Sequence, residues 1–200
     1  MKRFIFTLSS FAIFFILALF IYPSQVTAHC DTLDGPVVKA ARKALETDNV
    51  NYVLIWVKPE DEDAIRKALK RALNKRRKAK SKEEKDRANL EFFETLVRIH
   101  REGEGVNYEG IKPAGTIEPE IVLADEIVET GEIDKILSKI SSAQAKEIVR
   151  HLFHKVKENV EYDVDDVNAG REFIQAYVQF IHAVEKAVKG LEIQLENHHH

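Results

Sequence analysis

Apolar positions fall at helical spacing through most of the chain. After Asp34-Gly35-Pro36, which has the form of a cap followed by a first-turn proline, Val37, Val38, Ala41, Ala44 and Leu45 predict a helix ending near Thr47. Val50 to Val57 is short and rich in β-branched residues, so by itself it fits a strand as well as a helix, and Pro59 closes it. Ile65, Ala68, Leu69, Ala72 and Leu73 share one face of a helix over 64–78. A polar break near Ser81 leads to a helix over 84–101. Gly103 to Thr116 holds Gly105, Gly110, Pro113 and Gly115 and predicts a long loop, a kind that is often functional or a linker. Beyond it the pattern predicts a helix over 119–130, a short segment over 133–140, a helix over 143–159 and a last helix over 167–191.

The two halves match each other. Displaced by 83 positions, Ala41 meets Ala124, Glu46-Thr47 meets Glu129-Thr130, Leu54 meets Leu137 and Ile65 meets Ile148. Further on the displacement becomes 81, and Glu91-Phe92 meets Glu172-Phe173. The fold expected is all-α, a helical bundle built from two tandem pseudo-repeats of about 80 residues. Repeat 1 spans 29–102, the Gly-rich loop 103–116, repeat 2 117–191 and a tail 192–200. The comparison also settles the ambiguous segment: Ile133, Ile136, Leu137 and Ile140 are apolar at helical spacing, so Val50 to Val57 is read as a short helix too.

Residues 1–28 have a different character. Lys2 and Arg3 precede an apolar stretch from Phe4 to Tyr22; Pro23 breaks it, and Val26-Thr27-Ala28 offers small residues for a signal peptidase. The reading is a signal peptide cut between Ala28 and His29, with a periplasmic or extracellular product. An uncleaved anchor is the competing reading, since roughly 17–25 apolar residues suffice to span a bilayer. Loss of Lys2 and Arg3 with the leader takes the formal net charge from −3 to −5, which gives no overall basic balance toward nucleic acid. Arg66 to Lys85 holds eleven Lys or Arg against Glu83 and Glu84. That run is a solvated helix face or a docking face for an anionic surface; with no aromatics among the charges, single-stranded nucleic acid is disfavoured.

Cys30 is the one cysteine of the chain, so no intramolecular disulfide can form. Burial, metal ligation or an intermolecular disulfide would each account for a thiol in an oxidising compartment. Cleavage before His29 would place a free amine, an imidazole and a thiol on two adjacent residues. A metal ion displaces protons from such groups, and nitrogen and sulfur donors suit nickel, copper or zinc. His100 and His182, each continuing an apolar stripe of its helix (Phe93 and Val97; Val178), could add imidazoles, although a lone histidine there is more often a satisfied core residue. His151 and His154 are three apart but off the apolar face, Glu94 and Arg98 suggest a helix-surface pair, and His198-His199-His200 is a native tail or a purification remnant.

The segment His29-Cys30-Asp31-Thr32-Leu33-Asp34-Gly35 resembles the N-terminal hook of nickel superoxide dismutase, whose mature chain opens His-Cys-Asp-x-x-Cys-Gly. Asp34 stands where that pattern has its second cysteine, so the likeness implies a carboxylate donor there, a harder one that favours zinc or copper(II). Since that enzyme uses two thiolates to make nickel redox-active, the likeness implies metal binding more than dismutation. Over nearly its whole mature length the chain also resembles a family of uncharacterised exported bacterial proteins. That likeness rests on the His-Cys-Asp-x-x-Asp-Gly-Pro-Val-Val start, on the segment from Phe92 to Gly105 and on the segment from Ala169 to Val178. It implies export and a shared fold, with no activity attached.

The sequence therefore favours an exported transition-metal-binding protein serving capture, buffering or sensing, with His29, Cys30, Asp34, His100 and His182 as candidate ligands and no organic cofactor. A non-catalytic helical binding or scaffold module is the alternative. A redox-active nickel enzyme is the third and weakest reading, and no catalytic residue is assigned.

Overall fold

Pro36 and Pro119 each open a 12-residue helix, because a first-turn proline loses no hydrogen bond and has φ preset for the helix. The computed structural model describes residues 29–193; the signal peptide expected over 1–28, with the cleavage expected at its end, and the His198–His200 tail lie outside the described residues. Within them the order is α1 (Pro36–Thr47), α2 (Asn51–Leu54), a 3-10 turn (Pro59–Asp61), α3 (Glu62–Lys78), α4 (Lys82–Gly103), α5 (Pro119–Thr130), α6 (Asp134–Leu137), α7 (Ala143–Asn159) and α8 (Val167–Val188). The fold is all-α, as the periodicity predicts. Helices of 12, 4, 17 and 22 residues follow one another in each half.

Helix ends follow local chemistry. The Ser81 hydroxyl accepts from the Glu84 amide at 3.2 Å, and the Asp166 carboxylate accepts from the Ala169 amide at 3.0 Å. α1 ends on Asp48 at φ 55° and α5 on Gly131 at φ 83°, both left-handed. Arg98 pairs with Glu102, at 2.9 Å, one turn further along α4, rather than back to Glu94 as the sequence suggested.

α3 packs on α4 and α7 on α8, while α1 and α5 lie against α4 and α8 respectively. The apolar stripes of both halves merge into one core, with Phe92, Leu96, Phe180 and Ile181 among its most deeply buried side chains. Each such side chain contributes about 1.5–3 kcal/mol by leaving water. The start of α8 seals the first half. Arg171 donates to the carbonyls of Leu54 (3.3 Å) and Val57 (3.2 Å) and pairs with Glu62 at 2.7 Å. Beside it Gly170 is required by space, because a Cβ there would stand 2.4 Å from Ile55 Cγ2.

The loop after α4 is tied down at its centre. Lys112 donates its amide to the Asp31 carbonyl (2.8 Å) and accepts from the Leu33 amide (3.0 Å), forming a parallel bridge with the N-terminal segment. Asp34 adds a bond from the Gly115 amide at 2.8 Å. At the C-terminal end of α3, Arg77, Lys78, Lys80 and Lys85 are exposed around the turn into α4. Among the described residues no helix is long and apolar enough to cross a membrane.

Candidate functional site

A chain segment bearing His, Cys, Asp and Thr in succession would ordinarily lie at the surface, yet His29, Cys30, Asp31 and Thr32 are all buried, at 5%, 2%, 4% and 0% exposure. Burial requires that each polar group find a partner. The Thr32 hydroxyl donates to the His29 carbonyl at 3.1 Å, folding the segment into a turn, and the Gly35 amide donates to the Thr32 carbonyl at 3.1 Å. Gly35 is held to glycine by contact: a Cβ would fall 2.0 Å from the His29 carbonyl oxygen. Asp31 meets Arg101 of α4, with Oδ1 3.3 Å from Nε, and Arg101 also pairs with Glu104 at 2.8 Å.

His29 reaches across to the second half. Its Nε2 lies 3.0 Å from the Tyr177 hydroxyl, and that hydroxyl donates to Asp125 Oδ1 at 2.5 Å. Its other ring nitrogen, Nδ1, is 3.8 Å from Cys30 Sγ. Thiol, imidazole, phenol and carboxylate thus form one line, from the N-terminal segment through α8 to α5. Trp56 stands beside it, edge-on to Tyr177 at 6.1 Å and to His100 at 5.7 Å between ring centroids. His100 is 1% exposed; its Nδ1 donates to the Trp56 carbonyl at 2.8 Å, and its Nε2 lies 3.6 Å from Glu104 Oε1.

Desolvation sets the protonation of this line. Burial pushes the His29 imidazole down to about 3, and the charges of His182 and then His100 act in the same direction. Burial pushes the Cys30 thiol well up, with Glu104 adding to the effect, so it rests as S–H rather than thiolate. Burial and the Asp125 carboxylate likewise raise Tyr177, which stays a hydroxyl donor. A thiol so placed is a poor nucleophile, and its burial also keeps it from a second chain.

Of the five ligand candidates, His29 and Cys30 are in direct contact, and His100 and His182 lie near enough for their charges to bear on His29. Asp34 is engaged elsewhere: the Gly115 amide, its strongest influence, holds its carboxyl below the usual range. Among the described residues no three His, Cys, Asp or Glu side chains are grouped as a metal site. His151 and His154 face solvent, and His154 pairs with Glu158 at 3.4 Å.

Sequence reasoning missed Tyr177, Asp125, Arg101, Glu104 and Trp56. Arg101 and Glu104 belong to the 92–105 segment and Tyr177 to the 169–178 segment, both singled out above. Those two segments and the His-Cys-Asp start, distant in sequence, converge on this one cluster.

No curated protein and no solved structure matches the chain. A family model matches residues 34–183, a span that begins just after the His29–Leu33 turn and takes in His100, Asp125, Tyr177 and His182. The chain therefore belongs to the family of unknown function DUF6448.

Proposed function

We propose that the chain is exported, cut before His29, and binds one late transition-metal ion through the liberated amine, the His29 imidazole and the Cys30 thiolate, with His100 and His182 close by to complete the set. The observation that carries this reading is the 3.8 Å separation of His29 Nδ1 and Cys30 Sγ inside a buried, polar-lined turn. A tetrahedral ion with bonds of about 2.0 Å to nitrogen and 2.3 Å to sulfur holds such atoms about 3.5 Å apart. Nδ1 is also the nitrogen the chelate needs, because an ion on the α-amine closes a six-membered ring through Nδ1 and cannot reach Nε2. A neutral imidazole needs no deprotonation; the thiol surrenders its proton to the metal. With amine, imidazole and thiolate donors, copper, nickel or zinc fits and calcium or magnesium does not. Burial favours capture and retention over rapid buffering, since the ion exchanges only when the turn opens.

A metal-free helical scaffold is the competing reading, favoured by the hydrogen bonds that His29 and His100 already make to Tyr177 and to the Trp56 carbonyl. The two readings part on the amine, which is a backbone atom. Mature protein beginning at His29 should retain one equivalent of copper, nickel or zinc through desalting. The same protein with its amine acetylated, or Cys30→Ser, should not. Failure of the unblocked protein to retain metal, or an intact 28–29 bond in the exported protein, refutes the metal reading. The exposed cations at the α3–α4 turn further suggest docking to an anionic bilayer surface.

A further inference from the structure

We infer that Tyr177 and Asp125 are positioning residues that hold His29 as the Nε2–H tautomer and so present its Nδ1 lone pair to Cys30. The argument follows the protons along the line. Tyr177 has one hydroxyl proton, and it is directed at Asp125 Oδ1 at 2.5 Å. Having given that proton away, the Tyr177 oxygen can only accept from His29 Nε2, 3.0 Å distant. Nε2 therefore carries the imidazole proton, and Nδ1, 3.8 Å from Cys30 Sγ, is left with a lone pair. The Asp125 carboxylate itself stands 3.9 Å from Nε2, so its negative charge favours a proton on that nitrogen.

Histidines that bind metals commonly donate their second ring N–H to a carboxylate or carbonyl, which fixes tautomer and orientation. Here a tyrosine is interposed. His29 comes from the N-terminal turn, Tyr177 from α8 and Asp125 from α5, so the second half of the chain orients a ligand presented by the first. This deepens the chelate reading, on which its consequence for metal affinity rests, but the tautomer is a property of the metal-free protein.

The test separates the two. In chelator-treated mature protein carrying 15N-histidine, two-bond proton–nitrogen correlation spectra at neutral pH should show His29 as a single Nε2–H tautomer with a slowly exchanging proton. Tyr177→Phe should lose that protection and populate both tautomers, while Tyr108→Phe, outside the line, should not. Metal titration of the same proteins should show copper or zinc affinity lowered about 10–100-fold in Tyr177→Phe and Asp125→Ala. An Nδ1–H tautomer in the wild type, or identical His29 signals in wild type and Tyr177→Phe, overturns the inference. A correct tautomer in a wild type that takes up no metal upholds the inference and refutes only the chelate.

Discussion

Acidification should unfold the metal-free protein through His29 before its carboxylates are exhausted. The imidazole is held at about 3 in the fold against 6.5 for the free side chain. Between those two values the unfolded chain binds a proton at this residue that the folded chain refuses, so stability is present above pH 6.5 and is lost as pH falls. At about 1.4 kcal/mol per unit, a gap of about 3.5 units is worth about 5 kcal/mol over the full window and about 2 kcal/mol by pH 5. Native domains hold only about 5–15 kcal/mol, so the effect is large. Two buried carboxyls act with the opposite sign. Asp31 and Asp125 are both raised by desolvation, so the fold takes up their protons more readily than the unfolded chain does. The comparison that isolates His29 is therefore with His29→Gln, whose amide can still donate to Tyr177 but does not titrate. Urea unfolding followed by helical circular dichroism, from pH 7.5 to 4.5 in the presence of a chelator, gives both stability curves. Wild type should lose about 2 kcal/mol more than the variant between pH 7.5 and 5. Parallel curves would mean that the imidazole is protonated or solvated in the fold, and the buried neutral line described above would be wrong.

Three other outcomes are expected. Gly35→Ala should cost about 2–3 kcal/mol in urea unfolding, because its Cβ falls 2.0 Å from the His29 carbonyl and backbone must move. Arg171→Met should cost about 3 kcal/mol by thermal or urea unfolding, since the Val57 carbonyl loses its donor, the Leu54 carbonyl keeps only the Val57 amide and Glu62 loses its ion-pair partner; Arg171→Lys should recover little, because a single ammonium cannot reproduce the fork. Flotation with anionic vesicles should fall steeply with added salt and in Arg77→Glu/Lys78→Glu/Lys80→Glu, while neutral vesicles bind neither protein; equal binding at high salt would exclude an electrostatic contact.

The helices were legible because apolar period and capping residues agree along most of the chain. The short segments were legible only through each other: Val50 to Val57 alone fits a strand, and the spacing of Ile133, Ile136 and Leu137 identified the helical alternative that α2 and α6 adopt. Starts were misplaced where a turn feeds a helix directly, as where the Pro59–Asp61 turn runs into Glu62 two residues before the expected Ala64. The site divides in the same way. His29 and Cys30 were visible because adjacent donors are chemistry written along the chain. Asp34 was drawn in by its place in the hook pattern, but the turn at Gly35 leaves its carboxylate on the Gly115 amide. Tyr177 and Asp125 were invisible for a different reason. A tyrosine on an apolar stripe and an aspartate on an amphipathic helix have ordinary explanations until the group they meet is known. Here that group is 148 residues from Tyr177 in sequence, and Tyr177 is 52 from Asp125. Periodicity says which face of a helix is buried; it carries nothing about which polar atom on the opposite element completes a proton's path. Orientation of the His29 imidazole is thus a property of how the halves dock, and changes at α5 or α8 should reach His29 without touching the His29–Gly35 turn.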